Sequence, residues 1–262
     1  MKWRGLKHIT TSVALYLLAQ NAYADLFDKQ LTDERAASIR RMAVISTLGA
    51  TLHGRNVDVT VFGNQAFEAD VPSWALDSLI EQQLLDGARS DSRLKDVGIL
   101  TLDSAARALL YDGSGVNLRF HKPALLKAAA DQGFDAVLVF AQGYNENEPF
   151  AEAPLTLMAR PEFWGALKGW KKSSTSPYKI MPCATAVFRV LSAATGKQIA
   201  FSRGGENCGI PEPSLTWHKT WGEYTQDEQA ATEAAFKAFL VRRAQAALSN
   251  MHFGVPADGS KR

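Results

Sequence analysis

Strands and helices alternate through the middle of this chain, hairpin patterns flank them, and a long amphipathic helix closes it. These three observations predict an α/β fold: a mixed β-sheet with helices packed on it, terminal antiparallel hairpins and a long aromatic-rich insertion. The first strand is the apolar run Met42 to Leu48, which suits a buried strand. Val57 to Val61 alternates apolar and polar residues as a second strand would, and His53-Gly54-Arg55-Asn56 between them reads as a turn. Pro72-Ser73 opens a helix whose apolar positions Leu76, Leu79, Ile80 and Leu84 recur at helical spacing and which ends near Gly87.

Val97 to Leu102 reads as a buried strand, and Asp103-Ser104 caps a helix through Ala105, Leu109 and Leu110. Asp112-Gly113-Ser114-Gly115 breaks the chain. Lys122-Pro123 then starts a helix through Leu126 and Ala130 that closes at Gly133, and Ala136 to Phe140 is the most strand-like segment of all. Between Gly143 and Pro182 no period holds. Pro, Gly and Ser there predict an irregular insertion over 143–182, with one short hairpin near Leu155 to Met158. A second irregular stretch covers 209–225. The last element is the helix from Asp227 to about Asn250, with Phe236, Phe239, Leu240 and Leu248 on its inner face.

Residues 1–24 have the three parts of a cleavable export signal. Lys2, Arg4 and Lys7 precede an apolar run from Ile9 to Ala19, and Ala22-Tyr23-Ala24 is the small-x-small site a signal peptidase cuts. The run is much shorter than the roughly 20 residues a membrane span needs. The remaining 25–262 is expected to be a single α/β domain. Three of the 29 Lys and Arg lie in the leader and none of the 27 Asp and Glu, so the mature chain carries 26 against 27. That near-neutral balance gives no footprint for nucleic acid. No later run is long enough to span a bilayer, and the expected location is periplasmic.

Export would deliver Cys183 and Cys208, the chain's two cysteines, to an oxidising compartment. Ala184 to Arg203 reads as two strands joined at Ala194-Thr195-Gly196-Lys197. If Ala194 pairs with Lys197, the same register carried outward sets Cys183 opposite Cys208. It makes theirs a non-hydrogen-bonded pair, the kind with Cα atoms about 4.5 Å apart. A bulge at Gly204-Gly205 would slip that register by one. The register also puts Phe188 and Val190 on one face with Ile199 and Phe201, and Thr185 and Arg189 on a wet face with Ser202 and Glu206. No C-x-x-C motif suggests a redox role.

One family resemblance rests on element order. Met42-Ala43-Val44-Ile45, a helix, Val97-Gly98-Ile99-Leu100, Gly133-Phe134-Asp135-Ala136-Val137-Leu138-Val139, Phe188-Arg189-Val190-Leu191 with a Thr195-Gly196-Lys197 turn, and a closing helix follow one another. That series resembles bacterial envelope domains: the N-terminal domain of the Tol-system translocation protein, the curli secretion lipoprotein, and the outer-membrane activators of penicillin-binding proteins. The resemblance covers about two thirds of the mature chain and implies a non-enzymatic binding or assembly module. Two features depart from the pattern. No lipobox cysteine stands at the cleavage site, and the insertion over 143–182 has no counterpart.

Catalytic motifs are missing: G-x-S-x-G, H-E-x-x-H, the P-loop and G-x-G-x-x-G do not occur. His53, His121, His218 and His252 are scattered singly, without metal-ligand spacing, so neither a metal nor a cofactor is expected. Ser114 lacks a base with motif support. Aromatic residues are the more informative feature. Trp164, Trp170, Trp217 and Trp221 fall in the two irregular stretches with Tyr144, Phe163, Tyr178 and Tyr224. Either they pack the loops on themselves or over a sheet edge, or they form a recognition surface.

In the second case Tyr144, Trp164, Trp170, Trp217, His218, Trp221 and Tyr224 are the binding residues, with Asn145, Glu146 and Asn147 as hydrogen-bonding neighbours if the loops converge. The function expected is an exported non-enzymatic periplasmic binding or assembly protein that contacts an envelope protein or cell-wall glycan. The alternatives are a hydrolase of cell-wall or polysaccharide material using an acid pair such as Glu146 and Glu223, and self-association through the loops.

Overall fold

The computed structural model describes residues 29–57, 64–108, 110–112, 119–120, 122–142, 155–161 and 178–254. A short helix α1 (Asp33–Ala37) leads into strand β1 (Arg41–Ser46), then β2 (Thr51–Asn56), β3 (Gln65–Asp70), a 3-10 turn (Pro72–Trp74) and helix α2 (Leu76–Arg89). Next come β4 (Asp96–Ile99), α3 (Ser104–Ala108), the two-residue strands β5 (Tyr111–Asp112) and β6 (Arg119–Phe120), α4 (Lys122–Asp131) and β7 (Ala136–Gln142). The chain continues through β8 (Leu155–Pro161), β9 (Tyr178–Ala184), β10 (Ala186–Ser192), β11 (Gln198–Ser202), a 3-10 turn (Trp221–Glu223) and α5 (Gln226–Asn250).

The fold is α/β, with mixed sheets and helices packed on them. A five-stranded sheet has the order β11-β10-β7-β1-β4, with β1 parallel to both β4 and β7 and β10 antiparallel to β7. Successive residues of β1 point to opposite faces. Met42 and Val44 join a core shared with α2 and α5, while Ala43 and Ile45 join a second core with Leu125 and Ala129 of α4. Burial on both faces is why these strands read as unbroken apolar runs.

The second sheet has four strands in the order β3-β2-β8-β9. Its inner order repeats the first: where one sheet has β10-β7-β1, the other has β9-β8-β2, made from adjoining stretches of the same three chain segments. Leu52, Leu155, Leu157 and Ile180 of this sheet share the core of α2 and α5 with the first sheet, so one apolar interior joins the two.

Four expectations need correcting. His53-Gly54-Arg55-Asn56 is not a turn but most of β2, which pairs with β3 on one side and β8 on the other. Its side chains alternate between partly exposed Thr51, His53 and Arg55 and buried Leu52, Gly54 and Asn56. Polar residues on the outward face produced the turn-like composition. Val57 continues the pairing, its N–H donating to the Ala159 carbonyl at 2.9 Å, while residues 58–61 lie outside the described residues.

The stretch 143–182 is likewise not irregular throughout. Leu155–Pro161 and Tyr178–Ala184 are antiparallel partners in the second sheet. Both faces of β8 and β9 are buried, so no alternation marks them, and Pro161 and Pro182 read as breakers. Pro182 needs no ladder donor of its own, since its carbonyl accepts from Gly209 N on the sheet's outer side.

The register of the β10–β11 hairpin is the third correction. Ser192 and Lys197 close a wider loop, and the register shifts beyond Leu191, leaving Ile199 as the extra residue. Phe188 and Val190 therefore face Ser202 and Ala200, all four buried. Phe201 lies on the other side under the Arg189 guanidinium, 5.9 Å from its ring centre. Thr185, expected to be wet, is buried. A one-residue slip exchanges the two faces.

The disulfide joins Cys183 and Cys208 with Cα atoms 4.0 Å apart. Flanking bonds run from Ala184 N to Asn207 O and from Gly209 N to Pro182 O, the pattern of a non-hydrogen-bonded pair, as the sequence predicts. Fourth, Pro72-Ser73 opens only the 3-10 turn, Ala75 takes a left-handed φ of +48°, and α2 starts at Leu76 and runs to Arg89; α3, α4 and α5 start as their signals predict. Asp103 Oδ1 accepts from Ala106 N at 2.7 Å at the start of α3, Gly133 takes a φ of +77° after α4, and α5 begins at Gln226, next to the expected Asp227, and ends at Asn250.

Candidate functional site

Thr225 starts α5 with a reciprocal capping box. Its hydroxyl accepts from Glu228 N, and the Glu228 carboxylate accepts from Thr225 N at 2.9 Å. That cap fixes the end of the irregular stretch before it, where four of the predicted binding residues come together. Tyr224 is 4% exposed. Its ring lies 4.8 Å from Trp221, 5.9 Å from Phe67 and 4.7 Å from His218. Trp217 packs on Phe67 at 5.5 Å, and Trp221 bridges Phe67 at 6.1 Å to Trp74 at 5.9 Å. Trp74 in turn rests on Phe236 of α5.

The result is an aromatic ledge with a buried base of Trp74, Tyr224 and Phe236 and an outer row of half-buried Trp217, His218 and Trp221. It covers the face of β3, so these aromatics pack over a sheet while leaving part of two indoles in solvent. Trp217 Nε1 donates to Gln65 Oε1 at 3.1 Å, locking its ring plane. Phe67 and Trp74 complete the ledge, and sequence reasoning missed both. A signal was present for Phe67: Gly54 stands opposite it across the ladder, and a Cβ there would come within 2.1 Å of the ring.

His218 Nε2 lies 3.1 Å from Glu228 Oε1, and His218 N donates to the Tyr224 hydroxyl at 3.3 Å. Donation from Thr225 N, then from His218, holds the Glu228 carboxyl down at about 2. Burial pushes the Tyr224 phenol up to about 12. Glu223 Oε2 accepts from Lys219 N at 3.0 Å. Both carboxylates thus help to hold the loop.

Tyr144, Trp164 and Trp170 lie outside the described residues, as do Phe163, Asn145, Glu146 and Asn147. The acid pair Glu146 and Glu223 therefore has one member outside them. Tyr178 is a half-buried strand residue at the start of β9, packed against the main core.

A second polar cluster lies at the carboxyl end of β1, where open α/β sheets commonly bind ligands. Asp77 accepts from Ser46 Oγ at 2.7 Å, Leu48 N at 2.8 Å and Gly49 N at 3.2 Å. Glu81 Oε1 accepts from Ser46 N and from Arg107 Nη2 at 3.0 Å. These bonds satisfy one another and hold the turn between β1 and β2. Among the described residues no group of three or more His, Cys, Asp or Glu is placed to hold a metal ion, and no helix is long and apolar enough to cross a membrane.

No protein-family model matches the chain, and no curated protein matches it. Among solved structures, the chain is similar to the PelC dodecamer of Paraburkholderia phytofirmans in two crystal forms. In the first, a single-residue variant, identity is 11% over 79% of this chain and 88% of that one, with a TM-score of 0.26. In the second, identity is 11% over 78% of this chain and 86% of that one, with a TM-score of 0.25, values too low for the likeness to bear on what this chain does.

Proposed function

We infer that this is an exported, non-enzymatic periplasmic binding or assembly protein that meets an envelope partner through the ledge of Trp217, His218 and Trp221. The observation that carries the reading is the ledge's construction. Two part-exposed indoles rest on a fully packed aromatic base, clamped between β3 and the capped end of α5. Rings held in place before binding lose little freedom on contact, and such aromatic anchors dominate interface energetics. The joined cysteines are compatible with an exported protein, and the resemblance to bacterial envelope domains points the same way.

Recovery of partners from envelope extracts by wild type, Trp217→Ala and Trp221→Ala tests the reading. Truncating an anchor of this kind costs about 2 kcal/mol or more of binding, so either variant should recover about 30-fold less partner. Thermal unfolding shows whether each variant is folded at the assay temperature. Equal recovery by both folded variants and wild type would refute the assignment.

A further inference from the structure

The two sheets differ in how their edges are closed. Beyond β11, Lys29 N and Phe201 exchange backbone bonds. Beyond β9, Asn207, Gly209 and Glu212 bond to Ala184, Pro182 and Ile180, and the disulfide holds that segment in place. β3 is the outer strand on the other side of the second sheet, and among the described residues no backbone group pairs with its far side.

The ladder settles which groups that side presents. Val71 N donates to Ala50 O at 2.7 Å, which makes the pairs Leu52–Ala69, Gly54–Phe67 and Asn56–Gln65 the hydrogen-bonded ones. The N–H and C=O groups of Ala66, Glu68 and Asp70 therefore point away from β2, and all three residues are exposed. We propose that this open edge takes up an extended partner segment as a fifth strand, with basic residues at alternate positions and apolar residues between them, through the backbone of Ala66, Glu68 and Asp70. The proposal rests on the aromatic ledge as the contact surface and names the form of the partner that meets it.

Side-chain alternation sets the pattern. On one face of the added strand, neighbouring side chains meet Glu68, whose carboxylate is 73% exposed, and Asp70. Across the ladder from Glu68 stands His53 at 3.2 Å, and burial lowers its affinity for a proton despite the Glu68 charge, so the edge keeps its negative character. Arg55, opposite Ala66, is one strand further in and has interactions of its own. On the other face, side chains reach Phe67 and the Trp217–Trp221 row. A second copy of the same edge is disfavoured, because it would set carboxylates against carboxylates.

Amide hydrogen exchange on the full chain tests the proposal, with a peptide of about ten residues alternating lysine and valine as the probe. The peptide should slow exchange at Ala66, Glu68 and Asp70 by about tenfold or more, while Phe67 and Ala69, already bonded to β2, change little. A glutamate–valine peptide should leave all five unchanged. Ala66→Pro removes an outward N–H without touching the ladder to β2, so it should unfold at the wild-type temperature and lose the peptide. Glu68→Lys, which leaves the backbone intact, should also weaken binding.

Unslowed exchange at the three amides, or undiminished peptide affinity in folded Ala66→Pro, overturns the proposal and leaves the edge charges as guards against pairing. Envelope partner lost by Trp221→Ala but fully retained by Ala66→Pro removes the added strand and keeps the ledge as the contact surface.

Discussion

Arg243 is the residue on which the junction of the two sheets depends. It is 3% exposed and sits between the rings of Phe140 and Phe239, and among the described residues no carboxylate pairs with it. Its guanidinium donates to the carbonyls of Ala184 at 2.5 Å and Ala186 at 2.8 Å, and also to that of Arg203. Those carbonyls flank the point where the chain leaves β9 for β10 and the turn after β11. Burial lowers the guanidinium pKa to about 10, so it stays cationic at neutral pH. Arg243→Met roughly keeps the volume and strands two buried acceptors and a part-buried third, the buried ones worth about 1–3 kcal/mol each, so it should destabilise the fold by about 3 kcal/mol in urea titrations. Gly54→Ala belongs to the same scale. Its Cβ would displace the Phe67 ring, with an expected loss of about 1–3 kcal/mol and a red shift of tryptophan emission as Trp217 and Trp221 lose their support.

Among the elements, the segment after β11 is held by more than its sequence suggests. Gly204 takes a φ of +66°, and a Cβ there would stand 2.6 Å from the Arg243 carbonyl, so the turn packs directly on α5. The chain then pairs with β9 through the disulfide, which closes a separation of 25 residues. Replacing both Cys183 and Cys208 by Ser should lower stability by about 3 kcal/mol, and a thiol reductant should do the same to wild type but nothing to the variant. The hydrogen bonds of Asn207, Gly209 and Glu212 remain in that variant, so the second sheet is expected to keep its closed edge. Thr225→Ala removes one half of the capping box and should cost about 1 kcal/mol of thermal stability.

Across the whole molecule, one buried ion network ties the two ends of the described chain together. Asp91, fully buried, accepts from Arg93 N and Nη2 and from Gly254 N. Arg93 also donates to the carbonyls of Leu31 and His252 and to Asp33. Burial alone would raise the Asp91 carboxyl, but the Arg93 bonds, with that of Gly254, outweigh it and leave its pKa below the usual carboxylate range. A lowered folded-state pKa adds stability above the unfolded value, near 4, and that stability is lost as pH falls through the folded value. Asp91→Asn should therefore cost about 3 kcal/mol or more at neutral pH, a gap that narrows in melts run progressively below about pH 4. Because the two sheets share one core, tryptophan emission and far-ultraviolet dichroism should report a single coincident unfolding transition.

What the sequence determined by itself were features written in adjacent residues. The apolar runs of β1 and β7, the period of α2, the ends of α4 and α5, and the joining of Cys183 to Cys208 follow from local spacing and stereochemistry, whereas the expected pair type rests on a hairpin register that the structure replaces. What only the tertiary structure decided depends on partners far along the chain. β2 looked like a turn because its strand neighbours, β3 and β8, supply the pairing that its own polar composition does not advertise. β8 and β9 carried no period because both of their faces are buried. The hairpin faces turned on one bulged residue, a slip that costs little locally and exchanges every side chain between core and surface. The ledge follows the same rule. Trp217, His218, Trp221 and Tyr224 stood out by type and clustering, but their gathering into one ledge, with Tyr224 buried in its base, needed Phe67 and Trp74 from about 150 residues earlier, brought beneath them by sheet pairing and by the packing of α5.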